Sequence, residues 1–369
     1  MQAAYIHIPF CKQICSYCDF CKVFYQKELV SRYLDALEKE IQVYYQGERL
    51  TTLYIGGGTP SALSLSELEK LLTILQKLKK DSNIEYTIEC NIQDITLEKA
   101  LLFQKYGINR ISIGIQTLQE KYLQILNRKH TYQEVQEKID LLKKQGFHNI
   151  NIDFMYAFPN ETVEEVKKDI ESFLTLGATH ISTYALMIEP HTQLYLQKVE
   201  NPPEEIEAHM YQIICETLAQ NGYDHYEISN FSKPGYASKH NTVYWNQDFY
   251  YGFGVGASGY QNNMRYENTK SIYAYIKGKS MRKEYLVTGQ DKLYEAIMLG
   301  FRKIKGISKE RFYQKQNQRL EEIPIIQKLI QEQKLIENKD NIYINPKYIY
   351  VMNEILVIIL NDIEGVKNA

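Results

Sequence analysis

The stretch that decides the reading of this chain is Tyr5-Ile6-His7-Ile8-Pro9-Phe10-Cys11-Lys12-Gln13-Ile14-Cys15-Ser16-Tyr17-Cys18-Asp19-Phe20-Cys21. It opens as a short β-type run from Ala4 to Ile8, which Pro9 halts because proline has no N–H to give a ladder. Three thiols then follow in a C-x3-C-x2-C spacing, Cys11, Cys15 and Cys18, with Cys21 three residues further on. Thiols this close on one loop read as metal ligands.

Disulfides fit poorly, because the chain starts directly at its first strand with no signal peptide. The other cysteines, Cys90 and Cys215, lie far away inside periodic segments. Zinc fits paired C-x2-C knuckles, but such sites bring a second Cys/His pair downstream and none follows here. Three thiolates can instead hold three irons of a [4Fe-4S] cluster and leave the fourth iron open to a small molecule.

The spacing resembles the signature of the radical S-adenosylmethionine (SAM) superfamily, in which SAM chelates that open iron. The wider pattern, YIHIPFC followed by CSYCDF, resembles the branch that contains oxygen-independent coproporphyrinogen III oxidase and the heme chaperone HemW. The resemblance assigns Cys11, Cys15 and Cys18 to the cluster and sets Tyr5 and Tyr17 against SAM. Cys21 is out of register with the oxidase's fourth cysteine, where this chain has Phe20, and is expected to be an extra thiol.

The bulk properties agree. At 369 residues with net charge −2 the chain can bury a large core, and it shows no basic tract that would neutralise phosphates, so nucleic acid is not an expected partner. The longest apolar run, Ile355 to Leu360, is far too short for a membrane span. Six cysteines and an oxygen-sensitive cluster point to a reducing cytoplasm.

Along the chain, strand-like runs alternate with helical periodicity. The strands are Ala4–Ile8, Thr51–Ile55, Tyr86–Cys90, Arg110–Gln116, Ile150–Tyr156 and His180–Leu186. Helices are expected over Val30–Tyr44, Ser64–Lys80, Ile95–Tyr106 and Val163–Leu176, with helical stretches up to Gln145. Short βα units argue for a parallel sheet, and both a doubly wound sheet and a curved, incomplete barrel satisfy them. The resemblance selects an α/β fold, an open (β/α)6 partial TIM barrel. Its domains would be a radical SAM core over 1–225, a family-specific segment over 226–282, and a small, mainly helical winged-helix-like domain over 283–369, ending in a strand pair near Ile342 and Tyr348.

Gly56-Gly57-Gly58-Thr59-Pro60 follows the second strand, where glycine lets the backbone approach a ligand closely. It resembles the superfamily's GGE-type motif, so Gly57, Gly58 and Thr59 are carried over as SAM contacts. Glu89 and Gln116 stand at strand ends, where a carboxylate and an amide can fix hydroxyls and an ammonium group. With Arg128 and Asp153 they fall on SAM-contacting positions of the family, in TIECN, RISIGIQTLQ, LNRKH and NIDFMYAFP. The chemistry so implied is one-electron cleavage of SAM to methionine and a 5′-deoxyadenosyl radical.

Later segments, Tyr226–Phe231 (YEISNF), His240–Trp245 (HNTVYW) and GVGASGY up to Tyr260, resemble the heme chaperones. Histidine can ligate heme iron, and His240 is the expected heme contact. Ser258 stands where the family has histidine, so an imidazole is missing there. Phe20 and the start of the chain four residues before Tyr5 both favour the chaperone over the oxidase. The implied function is binding of a cluster, SAM and heme, with transfer of heme to an acceptor such as a respiratory heme protein, and flavodoxin or ferredoxin as electron donor. The alternative is oxidative decarboxylation of coproporphyrinogen III to protoporphyrinogen IX in porphyrin biosynthesis. Whether SAM turnover makes the chain an enzyme is left open; if it does, the class is a coproporphyrinogen dehydrogenase-like oxidoreductase.

Overall fold

The computed structural model describes residues 2–278 and 282–365. Six strands, β1 (Ala3–Ile8), β2 (Leu50–Gly57), β3 (Lys80–Asn91), β4 (Arg110–Gln116), β5 (Asn149–Tyr156) and β6 (His180–Ala185), lie side by side in chain order, every neighbouring pair parallel. Helices Lys27–Tyr44, Leu65–Leu75, Leu97–Lys105, Tyr132–Lys144 and Val163–Thr175 make the crossovers. Thr131 with Glu134, and Thr162 with Glu165, close capping boxes that fix where two of these helices start.

Alternation along the strands explains the layering. Leu53, Ile55, Ile88, Ile111, Ile113, Ile152 and Ile181 pack outward against Leu37, Leu72, Phe103, Ile139 and Ile170 of the helices in one continuous core. The residues between them, Tyr54, Glu89, Arg110, Ser112, Asn151, Asp153 and Ser182, face a common cavity. Parallel sheets covered on both faces normally read as unbroken apolar runs, so a polar inner row marks a face that is not simply packed. Side chains of five adjacent strands can meet in one cavity only if the sheet curves around it.

The sheet is larger than the expected six strands, because both edges of the parallel core are continued. β6 pairs antiparallel with β8 (Asn230–Ser232), which pairs with β7 (Asp224–Glu227). On the other side β1 pairs in parallel with β9 (Tyr250–Phe253), and β10 (Ser258–Gln261), β11 (Met264–Asn268) and β12 (Arg282–Leu286) follow as an antiparallel meander, giving a twelve-stranded sheet. The edges of the parallel core never meet, so the barrel is open. The helix expected over Ser64–Lys80 stops at Leu75, since β3 already begins at Lys80.

The C-terminal region has its own core around Ile297, Phe301, Leu320, Ile326, Leu335, Ile342 and Ile359. Ile342 lies in a strand, as expected, but its partners are Ile307–Ser308 and Leu335–Glu337. Tyr348 instead closes a short 3-10 turn, where Pro346 ends the strand, and a helix follows from Met352. Asp248 ties this region to the core by accepting from Arg311 at 2.7 Å and Lys315 at 2.9 Å. Among the described residues, no helix is long and apolar enough to cross a membrane.

Candidate functional site

A cavity of about 360 Å³ opens at the carboxyl ends of β1 to β6. Of the residues singled out in the sequence, Cys11, Cys15, Tyr17, Cys18, Gly57, Gly58, Thr59, Glu89, Gln116, Arg128 and Asp153 all line it. Tyr5 and His240 do not.

The cysteine loop leaves β1 at Pro9 and is pinned back on the sheet, with Thr59 N–H donating to Phe10 O at 2.9 Å and Ser16 Oγ donating to Ile125 O at 2.6 Å. Thr59 Oγ1 donates to Cys11 Sγ at 3.5 Å. Burial pushes the Cys11 thiol up to about 11 and raises Cys18 as well. Cys21 points elsewhere: its carbonyl accepts from His7 Nε2 at 2.7 Å, and a Cβ on Gly256, which has φ +67°, would meet Cys21 Cβ at 2.9 Å. Cys21 therefore packs against the GVGASGY turn and is no part of the cavity wall. Ser258, in that same segment, is exposed.

The glycine run forms the cavity's side. Gly57 has φ +113°, and a Cβ there would fall 2.4 Å from the His7 ring, so only glycine fits. Its N–H donates to Glu89 Oε2 at 2.9 Å, while Tyr54 Oη donates to Glu89 Oε1 at 2.8 Å. Burial raises the Glu89 carboxyl to about 7 against these two donors. Asp153 is raised too, by burial, although Asn151 Nδ2 donates to it at 2.9 Å. Gln116 ends β4 at φ +76°, a strained conformation for a residue with a side chain, of the kind that collects at ligand sites. Arg128 donates to Gly114 O at 2.7 Å, and its Nε is buried with no partner.

His240 lies at the other end of the strands. The helix Lys239–Trp245 is seated there, with Glu85 accepting from Lys239 N–H and His240 N–H, each at 2.9 Å. The His240 ring is 2% exposed, has Nδ1 on Thr52 Oγ1 and Nε2 on Tyr244 Oη, both at 2.8 Å, and stacks on Tyr54 at 5.0 Å. Burial lowers it to about 3, so it is neutral with both nitrogens engaged. This differs from the expected heme contact, because no nitrogen is left for iron. Tyr5 is likewise engaged within the fold, its hydroxyl donating to His7 Nδ1 at 3.0 Å.

The sequence reading passed over three parts of the site. Arg110 lines the floor, and Asn241, the neighbour of His240, reaches the cavity where His240 does not. Phe20 and Met187 stand at the wall with exposures of 61% and 68%. Only Arg110 left a signal, a charge at the head of the otherwise uncharged run RISIGIQ.

The donor set fits the group that the cysteine spacing suggests. Three thiols share one cavity with the Arg128 guanidinium, whose Nε has no partner, and with the backbone of the glycine run. Among the described residues no His, Cys, Asp or Glu side chains converge on a single-ion site. Cluster thiolates each take a different iron and so stand wider apart than the ligands of one ion.

Comparisons with known proteins agree with this geometry. The model of the radical SAM superfamily matches residues 5–173, and that of the HemN C-terminal domain matches 287–349. The heme chaperone HemW of Lactococcus lactis is 40% identical over 94% of this chain and 93% of its own length. HemW of Bacillus subtilis is 38% identical over 98% and 100%, and HemW of Escherichia coli 32% over 84% of each. The solved structure of coproporphyrinogen III oxidase (HemN) from Escherichia coli superposes with a TM-score of 0.84 over 97% of this chain and 89% of that one, at 20% identity, a likeness of fold.

Proposed function

The chain belongs to the radical SAM superfamily and within it to the HemW family, and on that footing we propose that it is a heme chaperone whose cavity holds a [4Fe-4S] cluster and SAM. The observation that carries the reading is the convergence of three loop cysteines, a glycine run and the side chains of Glu89, Gln116, Arg128 and Asp153 on one cavity. Cys11, Cys15 and Cys18 would hold the cluster, and binding would release their protons. Cluster and SAM together would supply one-electron cleavage of the sulfonium.

The rest of the site binds and orients. Gly57, Gly58 and Thr59 bring backbone close to the methionyl end, and Glu89, cross-linked to Gly57 N–H, holds a carboxylate where an ammonium group can pair with it. Gln116 and Asp153 offer directional acceptors to hydroxyls, and Arg128 braces Gly114 beside Tyr17. Heme would be handed to an acceptor protein. Contact through His240 would require the Lys239–Trp245 helix to leave its seat, because both ring nitrogens are engaged within the fold.

The test runs two arms, one with reconstituted and one with unreconstituted protein. Anaerobically reconstituted protein is incubated with SAM, a reductant and coproporphyrinogen III, while unreconstituted protein is titrated with heme and followed by absorbance. The expected result is stoichiometric heme binding and unchanged coproporphyrinogen. Conversion to protoporphyrinogen IX would overturn the reading in favour of the oxidase.

A further inference from the structure

The floor of the cavity carries a cation that forms no salt bridge among the described residues, although its charge acts on the Glu89 and Asp153 carboxyls. Arg110, the first residue of β4, is 2% exposed, lines the cavity, and has a buried Nε without a partner. Among the described residues, no carboxylate stands within ion-pair distance of it. The nearest acids are already engaged, Glu89 by Tyr54 Oη and Gly57 N–H, and Asp153 by Asn151 Nδ2. The two histidines beside it offer no acceptor: His180 has Nδ1 on Asn151 Oδ1 at 2.6 Å and Nε2 on Tyr226 Oη at 2.8 Å, and His240 is engaged at both nitrogens.

A desolvated guanidinium that the fold leaves unpaired is costly, and such groups persist where a ligand supplies the counter-charge. The planar fork of arginine matches a carboxylate in two parallel hydrogen bonds. Asn241 and Ser112 stand around the same cavity with an amide and a hydroxyl that can donate to a carboxylate's remaining lone pairs.

We propose that Arg110 is a carboxylate anchor at the cavity floor, at the opposite end of β4 from Gln116. This rests on the reading of the chain as a heme chaperone whose cavity holds SAM, and it adds the cavity floor as a place where a tetrapyrrole carboxylate could also reach. That chemistry has two sources there, the methionyl carboxylate of SAM and a propionate of a tetrapyrrole.

The test is a cycle of equilibrium titrations on anaerobically reconstituted wild type, Arg110→Gln and Arg110→Lys. One ligand pair is SAM and decarboxylated SAM; the other is heme and heme dimethyl ester. Arg110→Gln is expected to weaken one carboxylate ligand by tenfold or more and leave its carboxylate-free partner within about twofold, and the affected pair names the source. Arg110→Lys, which keeps the charge and loses the fork, should fall between. Ligand-free Arg110→Gln should melt no lower than wild type, because it removes an unpaired buried charge. Equal loss on both members of both pairs, or a ligand-free melting point well below wild type, would overturn the anchor and assign Arg110 to the fold. If wild type bound neither SAM nor heme, the functional reading itself would fail, an outcome visible before any variant is made.

Discussion

The two ends of the parallel core are built from similar residues and finished in opposite ways. At the amino end the HNTVYW helix closes the strands with His240 answered by Thr52 and Tyr244 and its backbone N–H by Glu85, while the indole N–H of Trp245 is buried without a partner. At the carboxyl end polar groups are left short, with Arg128 carrying an orphaned Nε, Glu89 raised to about 7, and Phe20 and Met187 exposed, and the orphaned Nε of Arg110 lies beneath them at the cavity floor. Buried polar groups are normally satisfied, so an imidazole answered at both nitrogens serves the fold, while charged groups left short around a cavity are those that a ligand can answer.

The largest effect should fall on the carboxyl end. Cys15→Ala should abolish the iron content and the cluster absorbance of anaerobically reconstituted protein, measured by iron assay and visible spectrum; full retention would remove the thiols of this cavity from the ligand set. At the amino end, His240→Ala should cost about 2–4 kcal/mol of stability in denaturant unfolding, because it strands Thr52 and Tyr244 and empties a stacked site. Its iron content should stay at the wild-type level, and a loss of iron would break the division between the two ends.

Glu89 gives the pH dependence. Its carboxyl is raised by burial from the usual range to about 7 in the folded chain. Between that value and the lower one of the unfolded chain, the folded state holds the extra proton. Stability therefore falls as pH rises through this window, by at most about 3 kcal/mol. Unfolding of wild type and Glu89→Gln from pH 5 to 8 should show this slope in the former and a flatter one in the latter. The smallest effect is expected for Cys21→Ser, which lies outside the cavity wall and should leave iron content unchanged.

Much of the molecule was legible in the sequence, and the lapses have physical causes. The six parallel strands announced themselves as apolar runs between helical periods, and the cavity residues on their ends follow from motif order. β9 and β12 were missed because YYGF sits in a glycine-rich turn region and RKEYL is a polar edge strand, so neither shows alternation. That His240 is held inside the fold was not legible, because histidine beside tyrosine and tryptophan looks the same in sequence whether it faces a ligand or seals a core; one residue along, Asn241 lines the cavity. Arg110 was read as part of a strand because an unpaired charge is visible only when its neighbours are known.

The central claim, that three loop thiols hold a cluster with an iron open to SAM, is tested most directly by electron paramagnetic resonance of the reconstituted, dithionite-reduced protein with and without SAM. The account predicts a reduced-cluster signal that changes on adding SAM and is missing from Cys15→Ala. A cluster signal identical in the presence and absence of SAM would contradict it.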